Sequence, residues 1–490
     1  MRTMTKTGLE TLTVFIPRNM NLDVLQAPRI YKKKSNSYEE DAKFIHRHQH
    51  KIMLLISNII LKQIRMKKKF DAAVTLDSQL LKHLYGDRYY KLILNILIRA
   101  GWLSKVSGYS AGYKSNSYRI SKALIKDGFY IGQITNKTLC YKISMFSSKQ
   151  LKTILDQDDN AHLFFSLTSL EIDVEAAKAD IEKRKMSRLQ KDTRIASLHL
   201  FNAMSQAKTQ SNLSEGNMKL DFPFTRCRGG RIHCPASQLP SDLLPFIKDI
   251  NVEMDGSCSQ LNIGHDFMLR FVADVYNSDS LKKCHYIGEG IPSENREEDE
   301  EHFSETHGIN SPSGKSKLSP YVVTISNHEN KPNISDLLKV DVNWVQAITK
   351  GYAYEYLMQE FDYKGTRSEF KEEFFKNIFY NAYRKTLTKM EVEFRKICPN
   401  EFRRIRYVKS ILGNREMAVL ITRHESRFWV AIVNKIMKRQ FPNCKYINRH
   451  DAILIHEDDA AEIYPVIEAA YHDYLTGRKA NISIKRIPNA

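Results

Sequence analysis

The sequence predicts an α+β chain of more than one domain, and three observations carry that reading. The chain has 490 residues, 42% of them apolar, which is ample for a buried core and too long for one ordinary domain. A helical apolar period runs from Ala42 to Met66, with Ile52, Leu55, Ile56, Ile59 and Ile60 at helical spacing. Short β-like runs interrupt the helical pattern further on: INVEM at 250–254, KYIN at 445–448 and AILIH at 452–456.

Charge narrows the partners. Lys and Arg number 75 against 56 Asp and Glu, a net +19. Such a balance favours a polyanion, because each phosphate neutralised releases counterions; the plainer alternative is a basic protein with no such partner. Seven scattered cysteines without a CxxC pair exclude a disulfide framework and a zinc site, and point to a reducing compartment. No apolar run is long enough to span a bilayer, and the N-terminus lacks the apolar stretch of a secretory signal. The expectation is a cytoplasmic protein with no membrane partner.

Residues 1–40 read as a flexible arm ending in YKKKSNSYEE. Residues 41–146 offer three helices: the one from Ala42, then SQLLKHLY, then RYYKLILNILIRA, which Gly101 stops. Two β-like runs follow around a Gly/Ser/Asn tip, in WLSKVSGYSAGYKSNSYRIS. Three helices and a hairpin read as winged-helix-like, which would set a helix in a nucleic-acid groove; equally, the unit would serve as a helical module packed on the rest of the chain. Residues 147–219 read as charged helices, and 220–490 hold the remaining strands and helices. Within them, about 277–319 is acidic and Gly/Pro/Ser-punctuated, so a mobile loop is expected. Its Gly314–Lys315–Ser316 lacks the GxxxxGKS frame of a phosphate loop. From Asn381 to Arg449, 17 Lys and Arg stand against 5 acids, with aromatics interleaved, as suits a nucleic-acid channel.

Three segments carry the ingredients of phosphoryl transfer, which needs charge neutralisation and positioning. In NVEMDGSCSQLNIGHDFMLR (251–270), Asp255 ends a strand and a helix follows; taken alone, an Asp there is usually a turn residue. In TRSEFKEEFFKNIFYNAY (366–383), Arg367, Lys371 and Phe375 share a helix face, with Phe379 a turn beyond; taken alone, this is an amphipathic helix with a Phe core. In KYINRHDAILIHEDD (445–459), two strands flank a tip bearing His450 and Asp451, and a helix capped by Asp458 or Asp459 follows.

These residues resemble those of a family. DGSCS at 255–259 is similar to motif A of phage-type single-subunit RNA polymerases and, more loosely, of family A DNA polymerases. TRSxxK at 366–371 is similar to their motif B, and His450–Asp451 before an apolar strand to their motif C. RCRGGRIH at 226–233 resembles their template-contacting Asp-x-x-Gly-Arg segment, with Cys227 in the Asp slot. The pattern also resembles polymerase-like replication proteins of phages and mobile elements, which would place the chain inside a host cell if phage-encoded. The resemblance spans roughly 220–475.

It implies a right-hand palm and fingers over 220–490, behind a thumb-like 147–219. Asp255 and Asp451 would hold two Mg2+ ions, or Mn2+ in their stead, with His450 beside the primer terminus. Arg367 and Lys371 would grip a nucleoside triphosphate, and Phe375 would continue their face. Phe379 would stack near the incoming sugar and base, with Tyr380 the competing candidate. Arg228, Gly230 and Arg231 would touch the template. The implied activity is a nucleotidyltransferase on a DNA template. DGSCS and TRS lean to an RNA product; Gln260, where the DNA polymerases carry a ribose-excluding Glu, and Phe379, without a hydroxyl, lean to DNA. A DNA-binding replication initiator or regulator with an inactive palm is the reading from another class.

Overall fold

Four antiparallel strands form the central sheet, in the order Ile447–Arg449, Ala452–Ile455, Val252–Gly256, Ile482–Arg486. The continuous apolar run AILI is buried along its whole length, whereas VEMDG alternates between buried and half-buried positions. These are the signatures of a strand covered on both faces and of one that keeps an accessible face. A computed structural model describes residues 11–26, 30–32, 37–39, 41–65, 72–76, 78–107, 116–156, 158–210, 222, 224–277, 284–285, 322–323, 333–383 and 386–488. Most of the acidic stretch expected as a mobile loop, and the tip of the 102–121 hairpin, lie outside them. The chain is α+β, with helices dominating and small sheets between them.

Two apolar cores divide the described residues. The first runs from the N-terminal helices through the central sheet to the helix Glu457–Tyr474. The second gathers the helices Ser259–Asn277, Val342–Lys350, Ala353–Glu360, Arg367–Phe374, Lys389–Ile397 and Pro399–Ser426 around Trp344, Phe370 and Phe374. Helix Ser259–Asn277 starts at the end of a sheet strand and packs into the second core, so it ties the two together.

The N-terminal region departs from the expected arm. Leu12–Pro17 is a strand, antiparallel to Phe129–Ile134, and Leu12, Val14, Phe15 and Ile16 are buried. The apolar, β-branched run LTVFIP belongs to the core; the Thr-rich, basic sequence around it hid that. Helices Asp41–Arg65, Ser78–Tyr85 and Asp87–Arg99 follow, with a sheet in which Ser117–Ile120 lies between Val74–Thr75 and Leu103–Ser107. Four helices then span Lys137–Leu155, Asp158–Thr168, Val174–Lys183 and Arg188–Gln210. The final long helix is capped by His456, whose Nδ1 accepts from the Asp458 amide at 3.3 Å, so the cap precedes both acids expected there. No helix among the described residues is long and apolar enough to cross a membrane.

A buried polar cluster braces the second core. Glu401 lies 2.8 Å from His265 Nδ1 and accepts from Arg404, while Arg404 donates to the carbonyls of Leu337 at 2.9 Å and Lys339 at 2.6 Å. Burial would raise the Glu401 pKa, but His265 and Arg404 outweigh it and hold the group at about 2. Removing one member leaves the other charges buried without compensation, at a cost of about 3–5 kcal/mol. Arg404→Ala is therefore expected to destabilise the chain by that amount in denaturant titration; a loss below about 1 kcal/mol would show that the cluster is not a brace.

Candidate active site

The strand pairing places Asp255 opposite Ala452, and the Gly256 amide donates to the Asp451 carbonyl at 3.0 Å. Asp255 and Asp451, 196 positions apart in sequence by their numbering, therefore sit at the same end of neighbouring strands. Their fields overlap. Burial is the larger cause and the Asp451 charge the second in pushing the Asp255 pKa up to about 6, against a pull downward from Lys485, whose Nζ lies 3.3 Å from Asp255 Oδ2. Carboxylates that repel one another in a half-buried site favour a shared cation.

Local backbone geometry fixes both groups. The turn carrying Asp451 is a two-residue hairpin loop between Arg449 and Ala452, and His450 takes a φ of 62° at its first position. Two-residue hairpins with a positive φ at that position usually use Gly, so a His there is strained, a feature common at functional sites. The His450 ring packs edge-on at 5.7 Å from His233. Beyond Asp255, a Cβ on Gly256 would come within 2.5 Å of Trp429 Cζ2, so only glycine lets the strand end lie on that indole. Trp429 also donates to Ser259 Oγ at 2.9 Å, and its carbonyl accepts from Asn448. Trp429 thus touches the ends of both segments that present the acids, through its ring at Gly256 and its carbonyl at Asn448.

The cationic helix spans Arg367–Phe374. Thr366 caps it through a reciprocal box with Glu369, which makes Arg367 the first helical residue. Arg367 and Lys371 lie over the buried Tyr354 ring, at 4.9 and 5.5 Å from its centre. Arg367 Nε also pairs with Glu355 at 2.5 Å. Both cations act on Cys258, in the turn just after Asp255, although burial dominates and leaves that thiol pKa raised. Lys371 also acts on Glu425, and the Asp451 charge reaches Tyr354. The acids and the cations therefore act on a common set of intervening residues, Cys258, Tyr354 and Glu425.

Two expected positions need correction. Phe379 is buried against Phe374 and Phe375, and Phe375 is itself 7% exposed, so neither ring lies open to a ligand along its length. The cause is a π-helical turn over Phe375–Phe379, closed by the Tyr380 amide donating to the Phe375 carbonyl at 2.8 Å. The extra residue turns the face by one position, so Tyr380 stands where α-helical spacing would put Phe379. Tyr380 is exposed, stacks on Phe375 at 5.6 Å, and its hydroxyl lies 3.5 Å from Gln260 Nε2. Asn414 and Lys409 hold this segment from outside, donating to the carbonyls of Tyr380 at 2.7 Å and Ile378 at 2.5 Å.

The segment expected to touch template is also held by protein. Arg231 pairs with the fully buried Glu425, and Arg228 with Glu416 at 2.7 Å. Burial alone would lower the Arg231 pKa, but Glu425 and, further off, Asp451 raise it; burial raises that of Glu425 against Arg231's pull. Gly230, with a φ of 81°, makes the turn, and a Cβ there would meet Ser426 Cβ at 3.0 Å. Arg231 remains a quarter exposed, at the edge of an open cleft of about 590 Å³ shared by Tyr380, Arg415, Val419 and Thr422.

Sequence reasoning missed Glu425, Trp429, Tyr354 and Lys485. An acid in the basic run between Asn381 and Arg449 was the one signal for Glu425; nothing local marks the others. Among the described residues, no group of three or more His, Cys, Asp and Glu gathers as a metal cage. Two carboxylates fit Mg2+ nonetheless, because that ion keeps its waters and is commonly held by one or two carboxylates together with substrate phosphates. A scan against protein-family models and a search of curated proteins each returned no match.

The raised Asp255 pKa has a signed consequence. Between its ordinary value of 3.8 and about 6, the folded state holds a proton that the unfolded state has lost, so stability falls as pH rises through that window. Thermal unfolding without divalent ions should show this decline in the wild type and a shallower one in Asp255→Asn. At pH 7.5, Mg2+ should raise the midpoint of the wild type and leave the variant unmoved; equal shifts in both would place the ion elsewhere.

Proposed function

We propose that the chain is a template-directed nucleic-acid polymerase whose central sheet is the palm of a right hand, with the second core as fingers and the helices over 147–219 as thumb. The observation that supports this is the strand pairing that sets Asp255 beside the hairpin turn bearing Asp451, with Arg367 and Lys371 acting on Cys258 in the turn after Asp255. Two Mg2+ ions held by the two carboxylates would activate a 3′-hydroxyl and neutralise the leaving pyrophosphate. Lys371 and Arg367 bind the triphosphate, their charged ends held over the Tyr354 ring, and Arg367 exchanges Glu355 for phosphate. Tyr380 stacks on the nucleotide with Gln260 beside it. His450 flanks the primer end. Arg231, oriented by Glu425, borders the cleft that receives the template.

The DNA template and ribonucleotide substrates are the preferred pairing. Tyr380, brought to the open face by the π-helical turn, supplies the hydroxyl that Phe379 lacks and that would contact a ribose 2′-hydroxyl. Gln260 beside it supports the second reading, a DNA product, by crowding the same position.

Extension of a primed and an unprimed DNA template, with ribo- and deoxyribonucleotides supplied separately, tests activity, sugar choice and initiation together. Incorporation should require Mg2+ or Mn2+ and fall at least about 10³-fold in Asp255→Ala and Asp451→Ala, with DNA affinity kept within about twofold. Failure of the intact protein to incorporate either nucleotide would leave a DNA-binding initiator or regulator. Lys371→Ala should raise the nucleotide KM and lower kcat in steady-state extension, while Lys371→Arg retains part of both; an unchanged KM would remove Lys371 from the triphosphate site.

A further inference from the structure

The helix Asp87–Arg99 lies far from the carboxylate pair in sequence and has a face that the proposed reaction does not use. It buries Tyr90, Ile93, Leu94, Ile96 and Leu97 in the N-terminal core. The opposite face is exposed and carries Arg88, Lys91, Asn95 and Arg99. At 100° per residue, Arg88, Asn95 and Arg99 fall within about 40° of one another, with Lys91 beside them. Among the described residues nothing hydrogen-bonds the side chains of Arg88, Asn95 or Arg99, and Lys91 has Asp87 at 3.7 Å and the Tyr90 ring at 5.8 Å.

The surroundings share the sign. Between Ser78 and Ile125 eight Lys and Arg stand against the single acid Asp87. Lys105 and Arg119 are exposed on the paired strands that follow the helix. The preceding helix, Ser78–Tyr85, joins it through the single residue Gly86 at a φ of 87°. The second of two tightly joined helices, with a hairpin behind it, is therefore presented outward by its polar face.

We infer that this face is a duplex-DNA reading surface, separate from the cleft beside Asp255 and Asp451. Charge complementarity selects a polyanion. Side-chain chemistry selects one with readable edges: guanidinium groups pair with guanine O6 and N7, and a carboxamide pairs with adenine N6 and N7. Dimensions agree. A helix is about 10–12 Å across with its side chains, against a major groove about 12 Å wide. Arg88 to Arg99 spans about 16 Å along the axis, some four or five base steps. An anionic membrane is the poorer fit, because a helix lying in a lipid interface exposes its apolar face, and here that face is in the core. Arg88, Asn95 and Arg99 read bases; Lys91, Lys105 and Arg119 take phosphates. The inference does not rest on the polymerase reading.

The test uses the full chain. A 30-base-pair duplex with a randomised centre is put through rounds of binding selection, and affinities for the enriched duplex, an unrelated duplex and a 30-nucleotide single strand are measured by anisotropy at several salt concentrations. Selection should enrich one motif of about four or five base pairs. Asn95→Ala should weaken binding to it about tenfold and relax the preference at one position. Arg88→Ala/Arg99→Ala should bring the enriched duplex down to the affinity of the unrelated one, and Lys91→Ala should weaken all duplexes alike and lower the salt slope by about one. Each substitution is on the exposed face, so an unchanged thermal midpoint confirms folding. No enriched motif, or a double variant that binds like the wild type, overturns the proposal. So does a loss equal for single strand and duplex, which would reduce the surface to a general phosphate patch.

Discussion

The register between Val252–Gly256 and Ala452–Ile455 is the constraint on which the site depends. With Asp255 opposite Ala452, the tip residue Asp451 is brought beside the strand end that carries the other acid. A slip of one residue would turn Asp255 toward the opposite face of the sheet. The one-sided burial of VEMDG makes that slip costly, because Val252 and Met254 would leave the buried face and Glu253 would enter it. The alternation of this strand thus holds the polar geometry at its end.

Irregular backbone does the remaining positioning. The left-handed His450 makes the loop short enough for Asp451 to stay at the sheet edge. The glycine at 256 lets the strand end rest on Trp429, and that tryptophan sits in a second π-helical segment, Arg427–Ile432. The first such segment, Phe375–Phe379, delivers Tyr380 to the open face. Hydrogen bonds brace both π-helical segments: buried Asn448 and Ser259 at Trp429, buried Lys409 at Ile378 and half-buried Asn414 at Tyr380.

Much of this was legible in the sequence, and the limits have physical causes. The strands at INVEM and AILIH and the helices at Ser78–Tyr85 and Asp87–Arg99 follow from apolar period and turn residues. Asp255, Asp451, Arg367 and Lys371 stand out as candidates because each sits in a short motif whose residues are neighbours in the chain. Counting α-helical turns puts Phe379 on the open face, and a π-helical turn defeats that count without any compositional mark. Arg231 was read as open to a template, since an ion pair to a residue 194 positions away leaves no local trace. Leu12–Pro17 was hidden because its strand partner, Phe129–Ile134, is more than a hundred residues away.

The central claim is that Asp255 and Asp451 jointly hold divalent cations, and the most direct measurement is anomalous diffraction from crystals of the protein soaked in Mn2+. The account predicts an anomalous peak bridging the two carboxylates, at about 2.0–2.5 Å from an oxygen of each, that disappears in crystals of Asp255→Asn. A peak on one carboxylate alone, or none between them while Mn2+ is bound elsewhere on the chain, would contradict it.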